Sequence, residues 1–186
     1  LAFEKNARMK GMHHPSIVNI IDVQANKASF NGAKCEPFSY ILMELAPLGN
    51  LHQLVASKKL PTSDMVIRTI FRQIMQGIEF LHSKEIFHTN LCLSNILITE
   101  DYSIKITDFD NIDNGKNESI TGSGTKNFRA PEVIQKRCSD PRRADIYSAG
   151  IILFILKFRT YPYFEDCLVR GKDLFDILMH NKEIFW

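Results

Sequence analysis

The stretch that decides the fold runs from Ile86 to Asp110 and reads IFHTNLCLSNILITEDYSIKITDFD. Within it Asn95 stands five residues after Asn90. Two short strand-like pieces follow, Ile96-Leu97-Ile98 and Ile104-Lys105-Ile106, and then the pair Asp108-Phe109. An amide, an amide, two strands and an acid beside an aromatic ring form a specific arrangement, with polar side chains held at the ends of apolar elements.

Upstream lies the strongest helix, Ser63 to His82. It opens after Pro61 with Thr62 or Ser63 as N-cap and carries Ile67, Ile70, Phe71, Ile74, Met75, Ile78 and Leu81 at helical spacing. Before it, Leu48-Gly49-Asn50 reads as a turn leading into a short helix, Leu51 to Ser57. Ile17 to Val23 and Tyr40 to Leu45 read as strands, with Gly32 and Pro37 bracketing the loop of a hairpin. Phe3 to Met12 has a loose helical pattern that stops at His13-His14-Pro15, since proline disfavours helix at the residue before it. Downstream, Asn111 to Asn127 is expected to be a mobile polar loop. Ala144 to Phe158 is expected to be a buried helix, and Leu168 to His180 an amphipathic one. No repeat and no low-complexity segment interrupts this order, and a small strand layer followed by a helical body is α+β.

Composition bounds the partners. The chain has 186 residues, 45% hydrophobic and 24% charged, enough for a real core. A net charge of +2 argues against nucleic acid or an anionic membrane surface as the main partner. Cys35, Cys92, Cys138 and Cys167 are scattered, with no C-x-x-C pair, so zinc is not expected. The apolar run Ile151 to Leu156 is far short of the ~18 residues of a membrane span. No signal peptide opens the chain, so a reduced, intracellular, cytoplasmic setting is expected. Leu1 starts without methionine and Phe185-Trp186 end without a tail, so both ends are expected to be cuts from a longer chain.

The decisive stretch resembles the catalytic loop and metal-binding segment of eukaryotic protein kinases, H-R-D-L-K-x-x-N and D-F-G. His88, Leu91, Asn95, Asp108 and Phe109 match, and Gly124-Thr125, Ala130-Pro131-Glu132 and Asp145 follow in register. His14-Pro15-Ser16-Ile17-Val18 resembles the segment after the family's αC helix, and Met43-Glu44-Leu45-Ala46 resembles gatekeeper plus hinge. The resemblance implies a single partial kinase-like domain over residues 1–186: a remnant of the small lobe and hinge over 1–45, and most of the helical lobe, through αG, over 46–186. It also implies roles. Asn95 and Asp108 fall on the magnesium ligands, Met43 to Ala46 on the adenine contact, Asn50 near the ribose and Leu97 beneath the base. Met9, Ile20, His88 and Phe109 fall on the apolar regulatory stack. ATP and Mg2+ would be the cofactors if the upstream strands exist, because the glycine-rich loop and strand lysine lie outside the matched portion.

Five departures qualify this. The base position holds Asn90, whose amide can hold a hydroxyl but cannot take its proton at neutral pH. The lysine facing the γ-phosphate is replaced by Cys92, removing positive charge where negative charge must be stabilised. Thr89 stands for the loop arginine and Asp110 for the D-F-G glycine. The αC glutamate slot falls on Lys5, one residue from Glu4. Losing a general base costs ~10²–10⁴-fold, and Asn90 alone would leave slow turnover. All the departures together imply a pseudokinase that signals by binding protein partners, with nucleotide as a further ligand. The alternatives are a weakly active ATP-dependent kinase of protein Ser/Thr hydroxyls, closest to the calcium/calmodulin-dependent group, and a remnant without stable function. Ser119, Thr121 and Ser123 lie in the segment where such kinases are phosphorylated.

Overall fold

In the computed structural model, residues 2–30, 33–115, 124–135 and 140–162 are described. The helix expected over 168–180 and the hydroxyls of Ser119, Thr121 and Ser123 lie outside them.

The chain opens with α1 (Ala2–Met9), which ends three residues earlier than its apolar pattern suggests because Lys10 and Gly11 turn the backbone, Gly11 at φ +82. A two-stranded antiparallel sheet follows, β1 (Ile20–Phe30) and β2 (Ala33–Met43), longer and more tightly joined than expected. Pro37 lies inside β2 rather than at the edge of a loop. Between the pairs Lys27↔Phe38 and Ser29↔Lys34, β2 advances four residues while β1 advances two, and the bulge so formed contains Pro37. A bulge is where a strand tolerates a residue without an N–H. Lys10 Nζ and the Tyr40 hydroxyl both donate to the Asp22 carboxylate, at 2.8 and 2.7 Å, tying the end of α1 to the hairpin. The Lys10 hydrogen bond, with that of Tyr40, holds the Asp22 carboxyl well below its ordinary pKa.

Ile17 belongs to neither strand of the hairpin. It makes a parallel bridge to Ile106, with Val18 N–H donating to Ile106 O and Ile106 N–H to Ser16 O, each at 2.9 Å. This stitch joins the hairpin layer to the second sheet, β3 (Ile96–Ile98) and β4 (Ile104–Ile106), whose limits are those read from the sequence.

Between them come α2 (Leu51–Ala56) and α3 (Asp64–Ser83). Ser63 caps α3, its hydroxyl accepting from Val66 N–H, and Ile67, Ile70, Ile74, Ile78 and Leu81 form the buried stripe. Gly77 sits where that stripe meets β4: a Cβ there would come within 2.7 Å of Ile106 Cδ1 and 3.1 Å of Ser16 O. After a short α4 (Pro131–Ile134), α5 (Pro141–Phe158) runs through the centre of the helical body. Its start is three residues earlier than the apolar run because Asp140 caps it and Pro141 fills the first turn, where a missing N–H costs nothing. One hydrophobic cluster spans α1, both sheets, α3 and α5. The class is α+β, as expected.

Ile74 is at 0% exposure in this cluster and Met65, on the same helix, is at 76%. In denaturant unfolding, Ile74→Ala is expected to lose about 2–5 kcal/mol, whereas Met65→Ala should stay within about 0.5 kcal/mol of the parent.

Candidate functional site: an amide-closed catalytic loop

The site begins with a buried acid. Asp145, on α5 and 1% exposed, accepts hydrogen bonds from His88 N–H at 2.9 Å and Thr89 N–H at 2.8 Å; its Oδ2 also lies 2.9 Å from His82 Nε2. These contacts fix the loop before Asn90. Thr89 is left-handed (φ 57), a costly state for a β-branched residue, and its hydroxyl donates to Asn111 O at 2.7 Å. The fully buried His88 ring continues the scaffold. Its Nδ1 accepts from Asn90 N–H at 3.3 Å, so Nε2 carries the proton and donates to Thr107 O at 2.9 Å.

Asn90, Asn95 and Asp108 then converge. Asn90 Nδ2 and Asn95 Nδ2 each donate to Asp108 Oδ2 at 2.9 Å, and Asn95 Nδ2 also donates to Asn90 O at 2.9 Å. Asn90 Oδ1 accepts from Thr125 N–H at 2.9 Å, so a single side chain bridges Asp108 and the segment at Thr125. Asp108 is itself left-handed (φ 68), and Gly124 is packed so closely that a Cβ would lie 2.7 Å from Thr89 O. Met9, Ile20, His88 and Phe109 are all buried, with the His88 and Phe109 rings 5.7 Å apart, so the four stack positions do sit in the core.

Cys92 is buried, its Sγ 3.1 Å from Ser94 Oγ, and places a thiol side chain where the resemblance implies a cation. Asp110 keeps a negative φ, so replacing glycine there strains nothing, and its Oδ1 accepts from Asn6 Nδ2 at 2.7 Å. Asn6 is the residue that sequence reasoning missed. The αC glutamate slot falls at Glu4 and Lys5, but helical phase puts Asn6 on the buried side of α1 with Met9, three residues on, and leaves Glu4 exposed. A polar residue in register with a core methionine was the available signal.

The positions tied to a base separate. Met43 shares a cavity of about 250 Å3 with Asn6, Ile41 and Asp108. Glu44 turns away from it, accepting from Asn19 N–H at 2.6 Å and pairing with Lys105 Nζ at 2.9 Å. Leu45 is 82% exposed and Ala46 half-buried. Asn50 is occupied as the N-cap of α2, in a reciprocal box with Gln53, and forms a bridge to Leu97, which packs partly buried on the core. A wider apolar groove of about 500 Å3 between α3 and α5 holds none of these residues.

Mg2+ wants near-octahedral oxygen ligands, usually carboxylates plus phosphates. The described residues contain no group of three or more His, Cys, Asp or Glu able to hold a metal, and Asp108 Oδ2 already faces two amide donors. Without phosphate oxygens the donor set does not fit the ion.

An ordered loop before Asn90, two strands carrying Asn95 to Asp108, and a buried acid beneath them define a protein kinase domain. The family model for that domain matches residues 3–182, and the chain belongs to the eukaryotic protein kinase superfamily, with relatives of the calcium/calmodulin-dependent-kinase-like kind. It is 31% identical over 166 residues to CBL-interacting protein kinase 26 of Oryza sativa subsp. japonica, covering 87% of this chain and 31% of that protein. It is 34% identical over 161 residues to CBL-interacting serine/threonine-protein kinase 1 of Arabidopsis thaliana, covering 83% of this chain and 34% of that protein. The chain thus spans about a third of the length of these relatives.

Replacing Asp145 by alanine strips the acceptor from two buried backbone N–H groups. With about 1–3 kcal/mol lost for each, Asp145→Ala should destabilise by about 2–6 kcal/mol and raise hydrogen exchange at His88 and Thr89. Asp145→Asn, which keeps one oxygen, should do less of both.

Proposed function

We propose that this domain is a pseudokinase: a kinase-fold module that signals by binding protein partners and does not turn over phosphate at a useful rate. One observation carries the reading. Asn90, in the position of the base, is committed at both ends of its amide, to Asp108 through Nδ2 and to Thr125 through Oδ1. An amide so held cannot accept a hydroxyl proton. The buried Cys92 thiol supplies no positive charge to a transferring phosphoryl group. Nucleotide, where it binds, acts in this reading as an occupant on the Met43 side of the cavity rather than as a substrate.

The weakly active Ser/Thr kinase is the second reading, favoured by the buried stack and the left-handed Thr89 and Asp108, which are features of an ordered site. Radiolabelled Mg-ATP with the full chain and a Ser/Thr-rich protein acceptor separates the two. Against a kinase turnover of ~1–100 per second, the Asn90 chemistry alone predicts a deficit of about 10²–10⁴-fold, and the missing charge at Cys92 predicts more. Asn90→Asp combined with Cys92→Lys should raise transfer. Turnover of about one per second or more in the parent chain, abolished by Asp108→Ala, would sink the pseudokinase reading.

A further inference from the structure

The bend that carries the chain from α1 towards β1 is held by an imidazole. We propose that His14 is an acid-sensitive latch: neutral, its Nδ1 fastens the Ser16 N–H and with it the join between the two sheets, and protonated, it lets that join loosen. This goes beyond the pseudokinase reading, which concerns phosphate turnover and not what keeps the hairpin docked on the strand that leads to Asp108.

Three contacts carry it. Ser16 is 3% exposed, and its N–H donates to His14 Nδ1 at 3.1 Å. A ring nitrogen accepts only while it has no proton, so Nε2 carries the proton of the neutral ring. A second proton sets N–H against N–H and leaves a buried backbone donor without its acceptor. The ring is also held in place. It stacks on Phe80 of α3, with centroids 4.9 Å apart, and an imidazolium keeps that contact because a cation sits well over an aromatic face. Finally, Ser16 belongs to the stitch between the sheets: Ser16 O accepts from Ile106 N–H, and Val18 N–H donates to Ile106 O, just ahead of Asp108. The surroundings favour the neutral ring. Burial holds the His14 imidazole below its ordinary pKa, Lys105 on β4 adds to this, and Glu79 on α3 opposes it. His13 and Glu44 share its cavity of about 320 Å3, with Glu44 already paired to Lys105 at 2.9 Å. The unfolded chain therefore takes up the proton first, at about pH 6.5. Above that pH the latch is at full strength, and it weakens as pH falls below it.

Amide hydrogen exchange of the isotope-labelled full chain, followed by NMR beside His14→Asn, is the test. An asparagine side chain accepts the N–H two residues on, so Oδ1 takes the place of Nδ1 and nothing there titrates. At about pH 7.5, above the window, parent and variant should exchange alike at Ser16 and Ile106. At about pH 5 the parent's two amides should exchange about three- to tenfold faster than the variant's, the worth of one net hydrogen bond. Both chains are compared at one pH, so intrinsic exchange rates cancel, and the other histidines titrate in both. The His14 ring itself should titrate below about pH 6.5. A His14 midpoint at or above that value, or acid behaviour shared by the two chains, unfolding included, would overturn the inference. If His14→Asn does not fold, the parent decides. Ser16 and Ile106 amide shifts that follow the His14 midpoint support the latch, and shifts that stay flat through it refute it. Phosphate transfer is not read in any of these measurements, so the pseudokinase reading stands or falls apart from them.

Discussion

The arrangement around Asn90 depends on one buried carboxylate. Asp145 comes from the first turns of α5, deep in the helical body, and its two oxygens take the backbone N–H groups of His88 and Thr89. An acid at such a depth is tolerated where hydrogen bonds replace the water it has lost. In return it dictates the path of the loop. With residues 88 and 89 pinned, His88 can reach Thr107 on the far side of the two short strands, and Asn90 is delivered facing Asp108. The left-handed state of Thr89 is a strain that this anchoring supports.

The departures from the family pattern point the same way once their contacts are seen. At Asn90 an acceptor of protons becomes a donor to Asp108, and at Cys92 a long cation becomes a buried thiol. At Thr89 a hydroxyl bonds Asn111 O, and at Asp110 a carboxylate bonds Asn6. The first two replace charge with neutral contacts; the last two add side-chain ties to neighbouring segments. The result is a site tied together by its own chain.

Much of this was legible because the elements are short and strongly marked. β3 and β4 each set two buried isoleucines either side of a half-buried middle residue, and α3 announces itself by its N-cap and its stripe of isoleucines. Asn90, Asn95 and Asp108 could be placed together from spacing and resemblance, and they do meet. What escaped depends on three-dimensional partners. Pro37 argued for a loop because a bulge is invisible in one strand's sequence. Ile17 looked like the start of β1, but its partner is Ile106, almost ninety residues away. Asn50 was read as a ribose contact when its nearest obligation is to the N–H groups of α2. Asn6 is not an acid, and its place beside Asp110 shows only once α1 is packed against the site.

The Asn6–Asp110 bond makes α1 and the Asp108 segment parts of one cooperative unit. A helix of eight residues is too short to persist in water on its own, so its order is borrowed from what it touches: the hairpin through Lys10, the core through Met9 and the site through Asn6. Anything that pulls Asp110 away from Asn6 removes one of these supports, and anything that unwinds α1 leaves Asp110 without that amide. The two ends of the bond therefore communicate by mass balance over helix–coil populations, with no moving lever between them. In this molecule the state of the helix is a readout of the site.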